Sequence, residues 1–287
     1  MSRQFLYFAV FLFGFSTQVS AFDFDFGKVI GTLKNAQMAT TEIDEPNEIE
    51  LGSGIASNLL GAAPLLQNQD VQKYVNRIGL WLALQTERPR LPWRFGVLDD
   101  DDVNAFAAPG GHVFITKGLL MHMRSEAELA GVLAHEIAHV LRKHHLLAIK
   151  QGARSGLLAE FAGHAMQNRG ANPALIQLVN TGTELYARGL DKDDELEADR
   201  MGVVIATRAG YDPYGLPAVL QTLQGMNAQD ASLALMFKTH PALNDRLNLL
   251  DQLMSGQFDR YANQPDHAPR FTELMNKADI HPKRNEH

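Results

Sequence analysis

Hydrophobic and polar positions along this chain change period several times, and the changes lay out its elements. From Glu48 to Leu66 and from Asp70 to Gln85 apolar residues recur at helical spacing. Val71, Tyr74, Val75, Ile78 and Leu82 form one face of the second helix. "ERPRLP" then breaks the chain. "WRFGVLD" (93–99) alternates as a strand does, and the acidic run "DDDD" (99–102) reads as a solvated loop. "NAFAAPGGHVFIT" predicts two short strands, Asn104 to Ala107 and His112 to Thr116, about a Pro-Gly-Gly turn. Ser125 with Glu128 three residues on is a capping-box signature, and the helix it opens is expected to run to about His145. Residues 150–190 read as helices interrupted by glycines and by Asn172-Pro173. "DKDDELEADRMGVVIATRAG" predicts a helix closed by Gly210, "DPYGLPAVLQTLQGM" another, and "ALNDRLNLLDQLM" a last one from about Pro241. From Gln257 onward the pattern is polar.

These elements predict an α+β fold, mainly α with a small β-sheet. No period of 20–50 residues marks a repeat array. Residues 47–256 read as a single domain, 22–46 as a flexible leader and 257–287 as an extended C-terminal tail.

The first residues follow a different logic. Arg3 precedes an apolar stretch from Phe5 to Phe15, and small and polar residues follow as far as Val19-Ser20-Ala21. That is the architecture of a secretory signal cleaved after Ala21, residues 1–21, and the stretch falls short of the roughly 20 residues a spanning helix needs. The reading places the mature chain in the periplasm or outside the cell, with no spanning helix. The formal charge of the chain is −7, which argues against a nucleic-acid partner. With no cysteine among its 287 residues, disulfides, thiol nucleophiles and Cys-ligated zinc are excluded, so any metal must be held by His and carboxylate.

"HEIAH" at 135–139 meets that requirement. Helical residues four apart sit one turn above each other, so His135 and His139 project two imidazoles at one point. Glu136, about 100° round the axis, is placed to take a proton from water there. A chance match is not negligible in a chain with 11 histidines. Against chance stands the apolar surround of Leu129, Val132, Leu133, Ile137, Val140 and Leu141, in which unpartnered imidazoles would be costly. A third ligand has a candidate in "ELEAD" (195–199), where Glu195 and Asp199 share a face and Glu197 points elsewhere. The same run also suits a solvated helix start, since acidic residues favour helix N-termini. His112, His122, His144, His145 and His164 lack ligand spacing and read as surface or packing groups.

In combination, His135-Glu136-x-x-His139, Glu195-x-x-x-Asp199 within "ELEADRMG", "THP" at 239–241 and "NAFAAPGGHVFITKGLL" resemble the HtpX/CaaX-prenyl-protease family of zinc metallopeptidases, in its soluble periplasmic branch, over about residues 45–255. The resemblance implies a zincin-like domain with the motif on a central buried helix. It implies one zinc ion held by His135, His139 and Glu195, with Glu136 as base. It places Asp199 behind a ligand histidine, and Arg246 as an anchor to an acidic partner. His240 falls near the metal, as a transition-state donor or as a fourth ligand that closes the resting site. Asn104, Ala105, Phe106 and Ala107 would bind substrate backbone by strand addition. The expected substrates are unfolded or misassembled envelope proteins, with an association with outer-membrane assembly machinery. A zinc-containing chaperone with latent proteolysis is the alternative.

Overall fold

A computed structural model describes residues 43–154, 189–227 and 229–280. The expected signal, most of the leader, the interrupted helices of 155–188 and the last seven residues lie outside the described residues.

Helix α1 (Glu45–Ala62) opens with an Asp44 cap, and α2 (Gln69–Ala83) opens on Asn68, whose side chain accepts from the Asp70 and Val71 amides. The predicted face of α2 is the buried one. Three short strands follow: β1 (Arg94–Leu98), β2 (Ala105–Ala108) and β3 (His112–Thr116). The sheet order is β1-β3-β2, with β1 parallel to β3 (Arg94 opposite His112) and β2 antiparallel to it (Ala105 opposite Ile115). The turn between β2 and β3 needs left-handed backbone at two consecutive positions, and glycine supplies both: Gly110 has φ 75° and Gly111 φ 101°. The result puts β2 on an edge of the sheet, packed on the central helix.

After the short α3 (Lys117–Met121), that central helix is α4 (Glu126–Leu141). Ser125 Oγ accepts from the Glu128 amide at 3.1 Å, and Glu128 reaches back to the Arg124 amide at 2.7 Å, one residue beyond the usual capping-box partner. Every residue of α4 is buried. Burying Leu129, Leu133 and Ile137 stabilises by roughly 1.5–3 kcal/mol each. The helix ends earlier than expected: Lys143 adopts φ 58°, and a separate helix, α5 (His144–Arg154), starts at once. Helices α6 (Lys192–Arg208) and α7 (Gly215–Gln224) pack on α4, followed by the short α8 (Ala234–Thr239) and by α9 (Leu243–Met254).

The extended C-terminal tail is corrected. Residues Ala268–Lys277 form a further helix, α10, with Phe271 and Met275 buried in the main core. Arg270 bonds both oxygens of the buried Glu126, which also accepts from Tyr74 and from Tyr211, and Asp266 accepts from the Ala127 amide. Phe271, Leu274, Met275 and Ala278 do recur at helical spacing. A segment this short becomes helical only because the core offers that stripe a face.

Candidate metal centre

Three helices, a helix end and a strand edge build one buried cluster. From α4 come His135, Glu136 and His139; from α6 come Glu195 and Asp199; His240 caps α8 and Arg246 lies on α9. The two ring nitrogens His135 Nε2 and His139 Nε2 are 3.0 Å apart. The Glu195 carboxylate straddles them, 3.5 Å from each. His240 Nδ1 lies 3.1 and 3.2 Å from the two Glu195 oxygens. One donor atom from each of these four residues falls within 4.8 Å of all the others. Close approach of the helices makes this possible: a Cβ at Gly202 would stand 2.9 Å from the His135 backbone nitrogen.

Charge is balanced within the cluster. Asp199 Oδ1 is 2.9 Å from His135 Nδ1, but off the N–H axis, so the contact is electrostatic rather than a linear hydrogen bond. Arg246 donates to both Asp199 oxygens at 2.7 Å and approaches Glu195 at 3.0 Å. Burial works against every one of these charges, yet the partners win. His240 and Arg246 hold Glu195 well below the usual carboxylate range, and Arg246 holds Asp199 down. Burial and Arg246 disfavour a charged His135, but Asp199 and Glu195 outweigh both and push it up to about 9. Desolvation together with the neighbouring His135 keeps His139 well below the usual histidine value. Glu136 is the exception among the carboxylates: burial pushes it up against the pull of His240 and His135, and its Oε2 has no hydrogen-bond partner among the described residues.

These residues fit a divalent metal. Two imidazole nitrogens and a carboxylate converge in a space closed to solvent, each backed by a further polar group, and nitrogen and oxygen donors without thiolate suit a borderline cation. The orphaned Glu136 oxygen needs a polar neighbour there, because an unsatisfied buried acceptor costs roughly 1–3 kcal/mol.

The strand residues lie beside the cluster. The Ala105 carbonyl is 3.4 Å from His240 Nε2. Asn104 sits just before β2 rather than in it, its side-chain oxygen accepting from the Ala105 amide and from Thr239 Oγ1. Phe106 and Ala107 continue along the edge strand. A cavity of only about 40 Å³ remains between Ala105, Glu136, Leu220, Leu223, Met236 and His240. A larger one, about 870 Å³, lies between α7 and α9 and touches none of the cluster.

Two neighbours were invisible to spacing. His144 is buried with its Nδ1 2.9 Å from His139 Nδ1, and the His145 ring is 5.5 Å from that of His139. Desolvation, aided by His240, pushes His145 down to about 3. Reading both as remote from the site assumed an unbroken helix through 145, and no glycine marks the left-handed turn at Lys143. His122 stays local, its ring bonded to the Gly118 carbonyl.

A mainly helical fold with an HExxH helix faced by a carboxylate helix defines a metal-dependent hydrolase class. The comparison with known families makes it specific: the Peptidase family M48 model matches residues 68–254, and the chain belongs to that family. Beta-barrel assembly-enhancing protease of Escherichia coli (strain K12) is 30% identical over 205 residues, 70% of this chain and 42% of the relative. The protein of that name from Yersinia pestis is 31% identical over 73% of this chain and 44% of its own length. Mitochondrial metalloendopeptidase OMA1 of Arabidopsis thaliana is 31% identical over 66% of this chain and 37% of the relative. The chain thus spans less than half the length of these relatives.

Proposed function

We propose that the protein is a zinc-dependent endopeptidase of the periplasm that cleaves unfolded or misassembled cell-envelope proteins. The carrying observation is the convergence of His135, His139 and Glu195 beside a buried Glu136 whose Oε2 lacks a partner. When bound at those three residues, zinc supplies Lewis acidity to a peptide carbonyl and acidifies water. Glu136, raised by burial, takes the proton of the attacking water at that free oxygen and delivers it to the departing amine. Asp199, gripped by Arg246, holds the His135 ring in place. An extended substrate adds alongside β2, the outer strand of the described sheet, where backbone pairing asks little of sequence and so suits unfolded chains. No described helix is long and apolar enough to cross a membrane, and the N-terminal pattern supports export by a cleaved signal. Names of the bacterial relatives support envelope substrates and a partner in outer-membrane assembly. Purified full chain loaded with zinc should cleave an unfolded substrate such as reduced casein. Glu136→Gln should keep its zinc and lose roughly 10²–10⁴-fold in rate; a variant that keeps both refutes the mechanism.

A second reading draws on one contact. His240 lies against Glu195 on one side and the Ala105 carbonyl on the other, and the cavity beside it is small, about 40 Å³. These contacts favour a binding protein with latent proteolysis. His240→Ala raising cleavage supports latency; a Glu136→Gln protein that performs the cellular role as well as wild type supports the chaperone.

A further inference from the structure

We propose that His144 is a positioning residue that fixes the tautomer and orientation of His139 and links it to a pair of carboxylates on α6. The inference deepens the zinc reading above and rests on it for its consequence, though the geometry stands without the metal.

His139 Nδ1 and His144 Nδ1 are 2.9 Å apart. A contact this short between two ring nitrogens requires a proton on one and a lone pair on the other. The far side of His144 decides which. Its Nε2 faces Glu197 Oε2 at 3.3 Å and Asp194 Oδ1 at 3.5 Å. Carboxylates turn acceptor oxygens to a ring nitrogen, so the geometry assigns the His144 N–H to Nε2 and leaves its Nδ1 as the acceptor. His139 Nδ1 must then donate, which leaves the His139 lone pair on Nε2. That is the nitrogen facing His135 and Glu195. The reverse arrangement would put the proton of His139 on Nε2 and block the donor atom.

Glu197 is itself held, its other oxygen accepting from Arg142 Nε at 2.7 Å. The two motif histidines are thus backed differently. His135 is near enough to α6 for Asp199 to reach it directly. His139 lies one turn further along α4, and the space between its Nδ1 and α6 is filled by an imidazole used as an extender. The left-handed Lys143 makes this possible, because it reverses the chain at the end of α4 and returns His144 to the ring it supports.

The test uses the full chain with His144→Ala, Asp194→Ala/Glu197→Ala and the triple variant. Zinc affinity is read by chelator competition, unfolding of the metal-free proteins by melting, and the ring tautomer of metal-free wild type by long-range nitrogen–proton correlation NMR. His144→Ala should lose about 10–100-fold in zinc affinity with little change in metal-free melting temperature. The carboxylate pair should lose affinity too, and the triple variant no more than His144→Ala, since both act through one ring. Asp194 and Glu197 are about one-third exposed, so the carboxylate variant carries the test if His144→Ala does not fold. Metal-free wild type should show His139 protonated on Nδ1. Wild-type affinity in the variants, losses that multiply, or His139 protonated on Nε2 would overturn the proposal. Wild-type protein that takes up no zinc yet shows the Nδ1 tautomer would refute the zinc reading and leave the positioning geometry intact.

Discussion

Replacing Gly202 with alanine sets two effects of known sign against each other. In a helix interior the exchange gains about 1 kcal/mol, because glycine pays the larger backbone entropy. At this position the new Cβ would sit 2.9 Å from the His135 nitrogen, 3.1 Å from its Cα and 3.3 Å from the Ala134 carbonyl carbon. Ordinary carbon contacts need about 3.5–4.0 Å, so α6 must back away by about 0.5–1 Å. All three contacts are backbone atoms of a fully buried helix, which cannot swing aside as a side chain would. Overpacking of this kind costs about 1–3 kcal/mol, so the net effect is destabilising by about 0–2 kcal/mol. In a protein of this size that is a fall of up to about 8 °C in melting temperature. The metal should suffer more than the fold. Ligand distances tolerate only about 0.2 Å, and Glu195 and Asp199 ride on the helix that moves. The assay is metal-free melting beside zinc competition. A Gly202→Ala protein that melts higher and binds zinc as wild type does would show that the close approach of α4 and α6 does not set the site.

Three other outcomes are expected. Phe271→Ala should cost about 3–5 kcal/mol by urea unfolding, since Phe271 is 1% exposed and anchors α10; a loss under 1 kcal/mol would mean that helix is not part of the core. Burial raises Glu126, but hydrogen bonds from Arg270, Tyr74 and Tyr211 outweigh it, so its folded pKa lies below the unfolded value of about 4.3. Its contribution is therefore complete above that pH and is lost as pH falls through the folded pKa, so Glu126→Gln should flatten the acid limb of a stability–pH curve below about pH 4.5, and an unchanged limb would refute the assignment. With His135 pushed up to about 9 in the metal-free protein, zinc must displace a proton at neutral pH; affinity should rise about tenfold per unit from pH 6 to 8, and a flat profile would contradict the raised value.

Much of the site was legible because helical spacing is local. His135 and His139 four apart, and Glu195 and Asp199 four apart, specify shared faces whatever the rest of the chain does. The strand pair around Pro109-Gly110-Gly111 was legible for the same reason, apart from Asn104, whose side chain turns back on the Ala105 amide. Legibility failed where local pattern and long-range contact part company. Lys143 takes a left-handed conformation that no residue type announces, and the helical phase used to dismiss His144 is lost there. The polar segment after Gln257 hides a helix because its few apolar residues count only once they meet the core, where Glu126 accepts from Arg270 as well as from Tyr74 and Tyr211.

By itself, then, the sequence determined the element types, the metal-suited face of α4, the acidic face of α6 and the lack of any thiol donor, all consequences of period and composition. Tertiary structure alone decided that those two faces meet, that Arg246 neutralises their carboxylates, that His144 stands behind His139 and that His240 lies against Glu195. The reason is physical. A helix face is set by bonds four residues long, whereas the distance between two faces is set by close packing, here by the missing side chain of Gly202.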